Sequence, residues 1–216
     1  MRILYLVFVL MLMFGCREKK KYHDPKADLI QVEDETLASI IQWQRDKDEE
    51  FRNPETSPLP DRFRKDFEGL DFFAPDTNYV VTAQFERTPD ALPFLMPTNT
   101  ERESEEVLYG RAHFTLNGRD FTLEVYQTPE LMEQPKFRDH LFLPFTDLTN
   151  GRQTYGGGRY LDLKIPDGNT IQLDFNKAYA PYCAYNRKYS CPLVPKVNHL
   201  DTEVLAGIKE YEKIKY

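Results

Sequence analysis

The hydrophobic pattern divides the chain into three parts. An unbroken apolar run covers residues 3–14, behind a single cation, Arg2. A segment of helical period comes next, in which Leu37, Ile40, Ile41 and Phe51 fall on or near one face. Asp34 stands where an N-terminal cap belongs, and Pro54, Pro58 and Pro60 end the pattern. This spacing predicts a helix over 34–51, with Trp43 as a packing anchor beside its apolar stripe. From residue 79 the period drops to two, and strands are expected over 79–85, 107–116, 119–127, 141–145, 159–165 and 171–175. Residues 89–100 read as a loop, and 200–211 as a segment beginning as a strand and ending as a helix. Successive strands with short turns give a mainly β fold class: an antiparallel meander forming a small barrel or sandwich, with an N-terminal amphipathic helix.

Two hairpins can be registered from the sequence. Asn117-Gly118 is the preferred pair for a type I′ turn. A two-residue loop there sets Phe114 against Phe121, Ala112 against Leu123 and Gly110 against Val125, all on one apolar face. The other face sets Arg111 against Glu124, His113 against Thr122 and Tyr109 against Tyr126, so His113 is an outer-face side chain. For 159–165 and 171–175, the apolar positions Leu161, Leu163, Ile165, Ile171, Leu173 and Phe175 share a face only if Asp167-Gly168-Asn169 forms a three-residue loop. That register places Asp162 opposite Asp174, Tyr160 opposite Asn176 and Lys164 opposite Gln172. Directly opposed side chains have Cβ atoms ~5 Å apart. Two facing carboxylates need solvent, a shared proton or a cation between them. The cation could be Lys164, Arg159, Arg187 or an oxygen-loving metal such as Ca²⁺, with Asp162 and Asp174 as its candidate ligands.

The opening run is too short to span a bilayer, which takes ~20 residues. With Arg2 before it and Gly15-Cys16 after it, it reads as a lipoprotein signal over 1–15. Cys16 is then the acylated first residue of the mature chain, 16–32 a lipidated tether, and 33–216 a single globular β-rich domain. The tether can reach ~50 Å when extended, and Lys19, Lys20 and Lys21 can touch anionic headgroups. These features predict a cell-envelope protein, periplasm-facing, whose partner is the membrane through its lipid anchor. The net charge of −7 becomes −8 once Arg2 leaves with the signal, which argues against nucleic acid as a partner.

Three cysteines are present, and Cys16 is assigned to lipid. Cys183 and Cys191 remain as an even pair in an exported chain, which reads as a disulfide. Such a bridge would contribute ~2.5 kcal/mol. A metal site ranks lower because only His199 stands nearby in sequence, and a redox pair lower still because C-x-x-C spacing is absent.

The candidate chemistry is concentrated around Tyr155-Gly-Gly-Gly-Arg159-Tyr160-Leu-Asp162 and Asp174-Phe-Asn176-Lys-Ala-Tyr179, continuing to Cys183-Ala-Tyr185. The three glycines permit close approach by another group but form no phosphate loop, since a strand follows and no Lys-Ser/Thr closes the motif. Tyr155, Arg159, Tyr160, Asp162, Asp174, Asn176, Tyr179 and Tyr185 are therefore the candidate ligand-binding residues. These stretches, with Cys191-Pro-Leu, Trp43, Lys47-Asp48, Ser57-Pro58-Leu59 and Phe67-x-Gly-Leu-x-Phe72-Phe73, resemble the bacterial and archaeal family called domain of unknown function 1684. The resemblance runs from about Trp43 to near the C-terminus and implies a shared fold without an activity.

Neither Gly-x-Ser-x-Gly nor His-Glu-x-x-His occurs, no cofactor motif is present, and His113 and His140 form no sequence-local metal site. A binding module for a small polar molecule or cation is the first expectation. A hydrolase using Asp162 and Asp174 comes second, and a structural envelope protein without a ligand third.

Overall fold

The structure is a computed structural model that describes residues 35–212. The signal, Cys16, the tether and the expected cap Asp34 lie outside the described residues. No helix among the described residues is long and apolar enough to cross a membrane.

Helix α1 spans Glu35–Arg52, and its buried positions are Ile40, Gln44, Asp48 and Phe51. That spacing of four, four and three is one helical stripe. Of its two polar members, Asp48 has a partner to bury against. Asp48 Oδ1 accepts the Leu70 N–H at 2.8 Å, which pins the following segment to the helix. Trp43 packs edge-on against Phe72 at 6.1 Å, as a packing anchor should. The helix stripe feeds a cluster of Phe51, Leu59, Leu70, Ala180, Tyr185 and Ile208.

The strands are β1 (Val80–Arg87), β2 (Phe94–Pro97), β3 (Glu103–Leu116), β4 (Arg119–Gln127), β5 (His140–Asp147), β6 (Arg159–Lys164), β7 (Thr170–Asp174) and β8 (His199–Leu200). One sheet runs β6-β5-β4-β3-β1-β7, with β2 added to β3 and β8 to β5. The pairing is antiparallel except for β5 with β8. The fold is thus mainly antiparallel β, and the sheet curls into a half-barrel rather than a closed barrel or a sandwich. Inside the curl lies the main core, built on Phe85, Phe114, Leu123, Val125, Leu143, Phe145, Leu161, Leu173 and Phe175. β2 falls in the expected loop 89–100, and 201–212 carries no helix.

The first hairpin has the expected turn and register. Asn117 and Gly118 both take positive φ, at 51° and 73°. Phe114 faces Phe121, Ala112 faces Leu123, Arg111 faces Glu124 and His113 faces Thr122. Below Gly110 the register slips by one, so Leu108, not Tyr109, faces Tyr126. Tyr109 is the extra residue of a β-bulge and stacks on Phe85 at 6.2 Å. The bulge reverses the inside and outside of the strand. Ala112, Phe114 and Leu116 point into the main core, whereas Leu108 belongs to a second cluster on the outer face with Met96, Tyr126, Phe142 and Tyr160.

The second hairpin does not form. β6 pairs with β5, setting Asp162 beside Phe142, and β7 pairs with β1, setting Asp174 beside Val80. The apolar residues of both strands do share the core, as the alternation requires. A curled sheet meets that requirement as well as a hairpin does, because both edge strands line one interior. Asp162 and Asp174 are consequently not a facing pair, and neither a shared proton nor a cation between them is needed.

Candidate functional site

The outer face of β3 to β6 carries a cleft of about 470 Å³, within the ~300–1,000 Å³ of small-molecule sites. Strand register explains its floor. Leu108, Tyr126, Phe142 and Asp162 form one cross-strand row. One step further along the same face come Glu106, Thr128 and His140. With strands ~4.8 Å apart, Glu106 and His140 are separated by ~10 Å of sheet. Tyr160, Tyr179, Tyr182, Tyr189, Phe137 and Phe142 provide aromatic walls. The ring of Phe142 meets Tyr160 edge-on at 4.7 Å, and Tyr160 meets Tyr179 at 5.9 Å.

One end of the floor holds Glu106, which is 1% exposed. Its Oε1 accepts from the Ser104 hydroxyl at 2.8 Å and its Oε2 from the Thr128 hydroxyl at 2.9 Å. Burial raises its pKa, while those two hydrogen bonds and the charges of His140 and Arg102 oppose the rise. Each carboxyl oxygen still has a lone pair for a ligand donor. The other end holds a three-residue relay. Asp162 Oδ1 accepts the Tyr179 hydroxyl at 2.8 Å and lies 3.0 Å from His140 Nε2. Burial first, and the Asp162 carboxylate second, keep the Tyr179 phenol protonated.

Cations stand at the rim. Lys47, from α1, pairs with Glu50 at 2.8 Å and lies over the Tyr179 ring at 5.0 Å. Arg102 reaches Ser190 through Nε, 3.2 Å from its hydroxyl, and through Nη2, 3.2 Å from its carbonyl. Among the described residues, no group of three His, Cys, Asp or Glu is arranged to hold a metal ion.

Of the residues singled out from sequence, Tyr160, Asp162 and Tyr179 meet at this cleft. Tyr155 and Tyr185 line a second cavity of about 450 Å³ instead, together with Cys183 and Tyr211. The remaining three are occupied by the fold. Arg159 is fully buried and ion-paired with Asp147 at 2.8 Å. Asn176 is 1% exposed and ties down residue 76, its Oδ1 accepting the Asp76 N–H and its Nδ2 donating to the Asp76 carbonyl, each at 2.9 Å. Asp174 accepts the Asn176 N–H at 3.1 Å and pairs with Lys177 at 3.3 Å.

The expected bridge is not formed: Cys183 and Cys191 are free, buried thiols. They are neighbours nonetheless, with the Cys183 N–H donating to Cys191 Sγ at 3.3 Å.

Glu106, His140, Lys47, Arg102 and Tyr189 were not identified as site residues from sequence. Glu106 lies in the acidic run Glu103-Ser-Glu-Glu, just ahead of the strand expected over 107–116. Its signal was the alternation of Ser104, Glu106 and Leu108, which extends the strand four residues upstream of 107.

No functionally curated protein matches this chain. An uncharacterised protein of Haloarcula marismortui, solved in solution by NMR, superposes with a TM-score of 0.63 at 34% identity. The match covers 80% of this chain and 92% of the haloarchaeal one. The model of the family described as protein of unknown function DUF1684 matches residues 65–209. With both the matched span and the identity this large, the chain belongs to the DUF1684 family.

Proposed function

We propose that this protein is a membrane-anchored lipoprotein whose folded domain binds a small polar ligand in the outer-face cleft. The ligand is a hydrogen-bond donor at both ends and flat between them. One end meets Glu106, the other meets His140 and Asp162, and the body lies along the aromatic rings over ~10 Å to His140 and ~14 Å to Asp162. The observation that carries this reading is the buried Glu106 carboxyl at the base of an open, aromatic-walled cleft. A carboxyl of that burial with two hydroxyl donors is costly to retain for packing alone. The sequence-derived anchor at Cys16 supports the envelope location and leaves the cleft on a tether long enough to meet solutes at the membrane surface.

The test is native mass spectrometry of the full chain in mild detergent, followed by calorimetric titration of the co-purifying compound. Glu106→Gln and Asp162→Asn should each weaken binding by about 10- to 100-fold, the value of one hydrogen bond to a charged group, while the fold persists. Unchanged affinity in both variants would overturn the reading.

A hydrolase is favoured by one feature, the raised pKa of a carboxyl in a cleft, which is a mark of a general acid. Geometry weighs against a paired-carboxylate mechanism. Asp162 stands three strands from Glu106, ~14 Å of sheet on a convex face, wider than the ~6.5–9.5 Å that inverting glycosidases use.

A further inference from the structure

The partition between the two cavities is a pair of thiols. Cys183 belongs to the turn Tyr182–Ala184 and lines the second cavity, whereas Cys191 lines the cleft. Both are less than a tenth exposed, and what exposure they have opens into these cavities. The segment between them is held in place at its C-terminal end. Cys191 exchanges backbone and side-chain hydrogen bonds with Asn99, accepting at 3.0 Å and donating at 2.6 Å. Tyr160 donates its hydroxyl to the Pro192 carbonyl. The two sulfurs are therefore kept adjacent by the surrounding fold and need no bond between them to stay so.

Their surroundings differ in a way that assigns roles. Cys191 Sγ receives the Cys183 thiol and the Cys183 backbone N–H, and Arg102 adds positive charge nearby, so its pKa falls to about 7. Cys183 is pushed up, first by donating to Cys191 and then by burial, although the Tyr155 hydroxyl beside it acts the other way. One member is a thiolate near neutral pH and the other holds its proton, the division of labour that exchange chemistry requires.

We propose that Cys183 and Cys191 form a redox-active dithiol that exchanges with small disulfides entering through the cleft, Cys191 attacking and Cys183 resolving. In the first step the Cys191 thiolate bonds to one sulfur of the disulfide, the sulfur–sulfur bond of the substrate breaks, and one thiolate leaves. In the second, Cys183 gives up its proton to that departing thiolate and attacks Cys191 Sγ. The intramolecular bridge forms and the second thiolate leaves, taking a proton from water. The protein's two thiols are oxidised and one disulfide is reduced to two thiols, so electrons balance without another reactant. The spacing of seven residues between the cysteines, which argued against redox chemistry, is offset by the fold, which brings them together as a C-x-x-C turn would. This inference does not rest on the ligand reading, since it uses neither Glu106 nor Asp162.

The experiment uses the reduced full chain with Cys16→Ser as its background, called wild type below for its other two cysteines, challenged with oxidised glutathione near neutral pH, quenched with acid and weighed by mass spectrometry. The wild type should lose two hydrogens and retain no adduct. Cys183→Ser keeps a hydroxyl donor beside Cys191 and should accumulate one glutathione on Cys191. Cys191→Ser should form its adduct at least about tenfold more slowly, because Cys183 lacks the thiolate. In urea the two variants should react alike. Equal rates in the folded variants, a lasting glutathione adduct on the wild type, or a bridge that glutathione cannot reduce in the folded protein would each overturn the proposal.

Discussion

Arg159 offers the most demanding test of how this fold is held. It is the largest fully buried side chain among the described residues. Its Nη2 donates to Asp147 Oδ2 at 2.8 Å and to the Val204 carbonyl at 2.9 Å, and its Nη1 donates to the Ala206 carbonyl. The guanidinium also lies 5.3 Å from the Phe145 ring. Asp147 in turn accepts the N–H groups of Thr149 at 2.8 Å and Val204 at 3.2 Å through Oδ1. The pair therefore joins β5, β6 and the C-terminal strap in one buried knot. Arg159→Met fills much of the volume but leaves Asp147 without a countercharge and two carbonyls without donors. Removing one member of a buried ion pair costs about 3–5 kcal/mol, and the orphaned carbonyls put this site at the upper end. Asp147→Asn should cost about 3 kcal/mol by the same reasoning, with Arg159 now uncompensated. The double variant should fall short of the sum by about 2 kcal/mol, since each single change already breaks the shared contact. Urea unfolding reads this directly: at a slope of about 2 kcal/mol per molar, the Arg159→Met midpoint falls by about 2.5 M. A loss below about 1 kcal/mol, or strict additivity of the two changes, would refute the argument.

Three other outcomes follow from the structure. The Glu106 pKa is raised above its ordinary value of 4.5 by burial, so its contribution to stability is present below that pH and is lost as pH rises through the folded value. Glu106→Gln removes the dependence, so urea unfolding at about pH 4 and about pH 7.5 should show the variant gaining on the wild type at the higher pH. Gly158 has φ +95°, and a Cβ there would come within 2.6 Å of Val194 Cγ2 and 2.7 Å of the Phe145 carbonyl. Gly158→Ala should cost about 2–4 kcal/mol from strain and overpacking, whereas Gly156→Ala, whose Cβ meets nothing closer than 3.7 Å, should unfold with the wild type by calorimetry. Alkylation of Cys191 by iodoacetamide in the folded chain should rise with a midpoint near pH 7, about where its pKa is held; a midpoint above about 8.5, the free-thiol value, would sink that assignment.

The sequence made the local structure legible wherever one residue pair dictated it. Asn117-Gly118 allowed a two-residue turn, and the turn fixed the register up to Gly110. It could not reveal the bulge at Tyr109, because the residues on either side alternate without interruption; the slip is set by Phe85 and the backbone of Glu86, which leave no room for a side chain at Gly110. Likewise Leu161 and Leu173 announced their burial but not their neighbours, since a common interior does not specify which strand lies beside which. The candidate site was legible only in part for the same reason. Tyr160, Asp162 and Tyr179 are close in sequence to one motif, whereas Glu106 and His140 reach the cleft through strand order, which is a long-range property. Arg159 and Asn176, polar residues in a distinctive motif, turned out to be held by backbone carbonyls and N–H groups that no sequence displays.

The bulge at Tyr109 has a consequence for how this fold can change over time. A single inserted residue lets β3 serve the interior along its upper half and the cleft along its lower half. Residues 104, 106 and 108 are thereby released from the volume constraint that governs 112, 114 and 116. Relatives that keep the bulge can trade one recognition chemistry for another on the outer face without repacking the interior. Regular pairing through Tyr109 would instead turn Leu108 inward and drive the Glu106 carboxyl toward the core, so the bulge insulates the molecule's stability from its specificity.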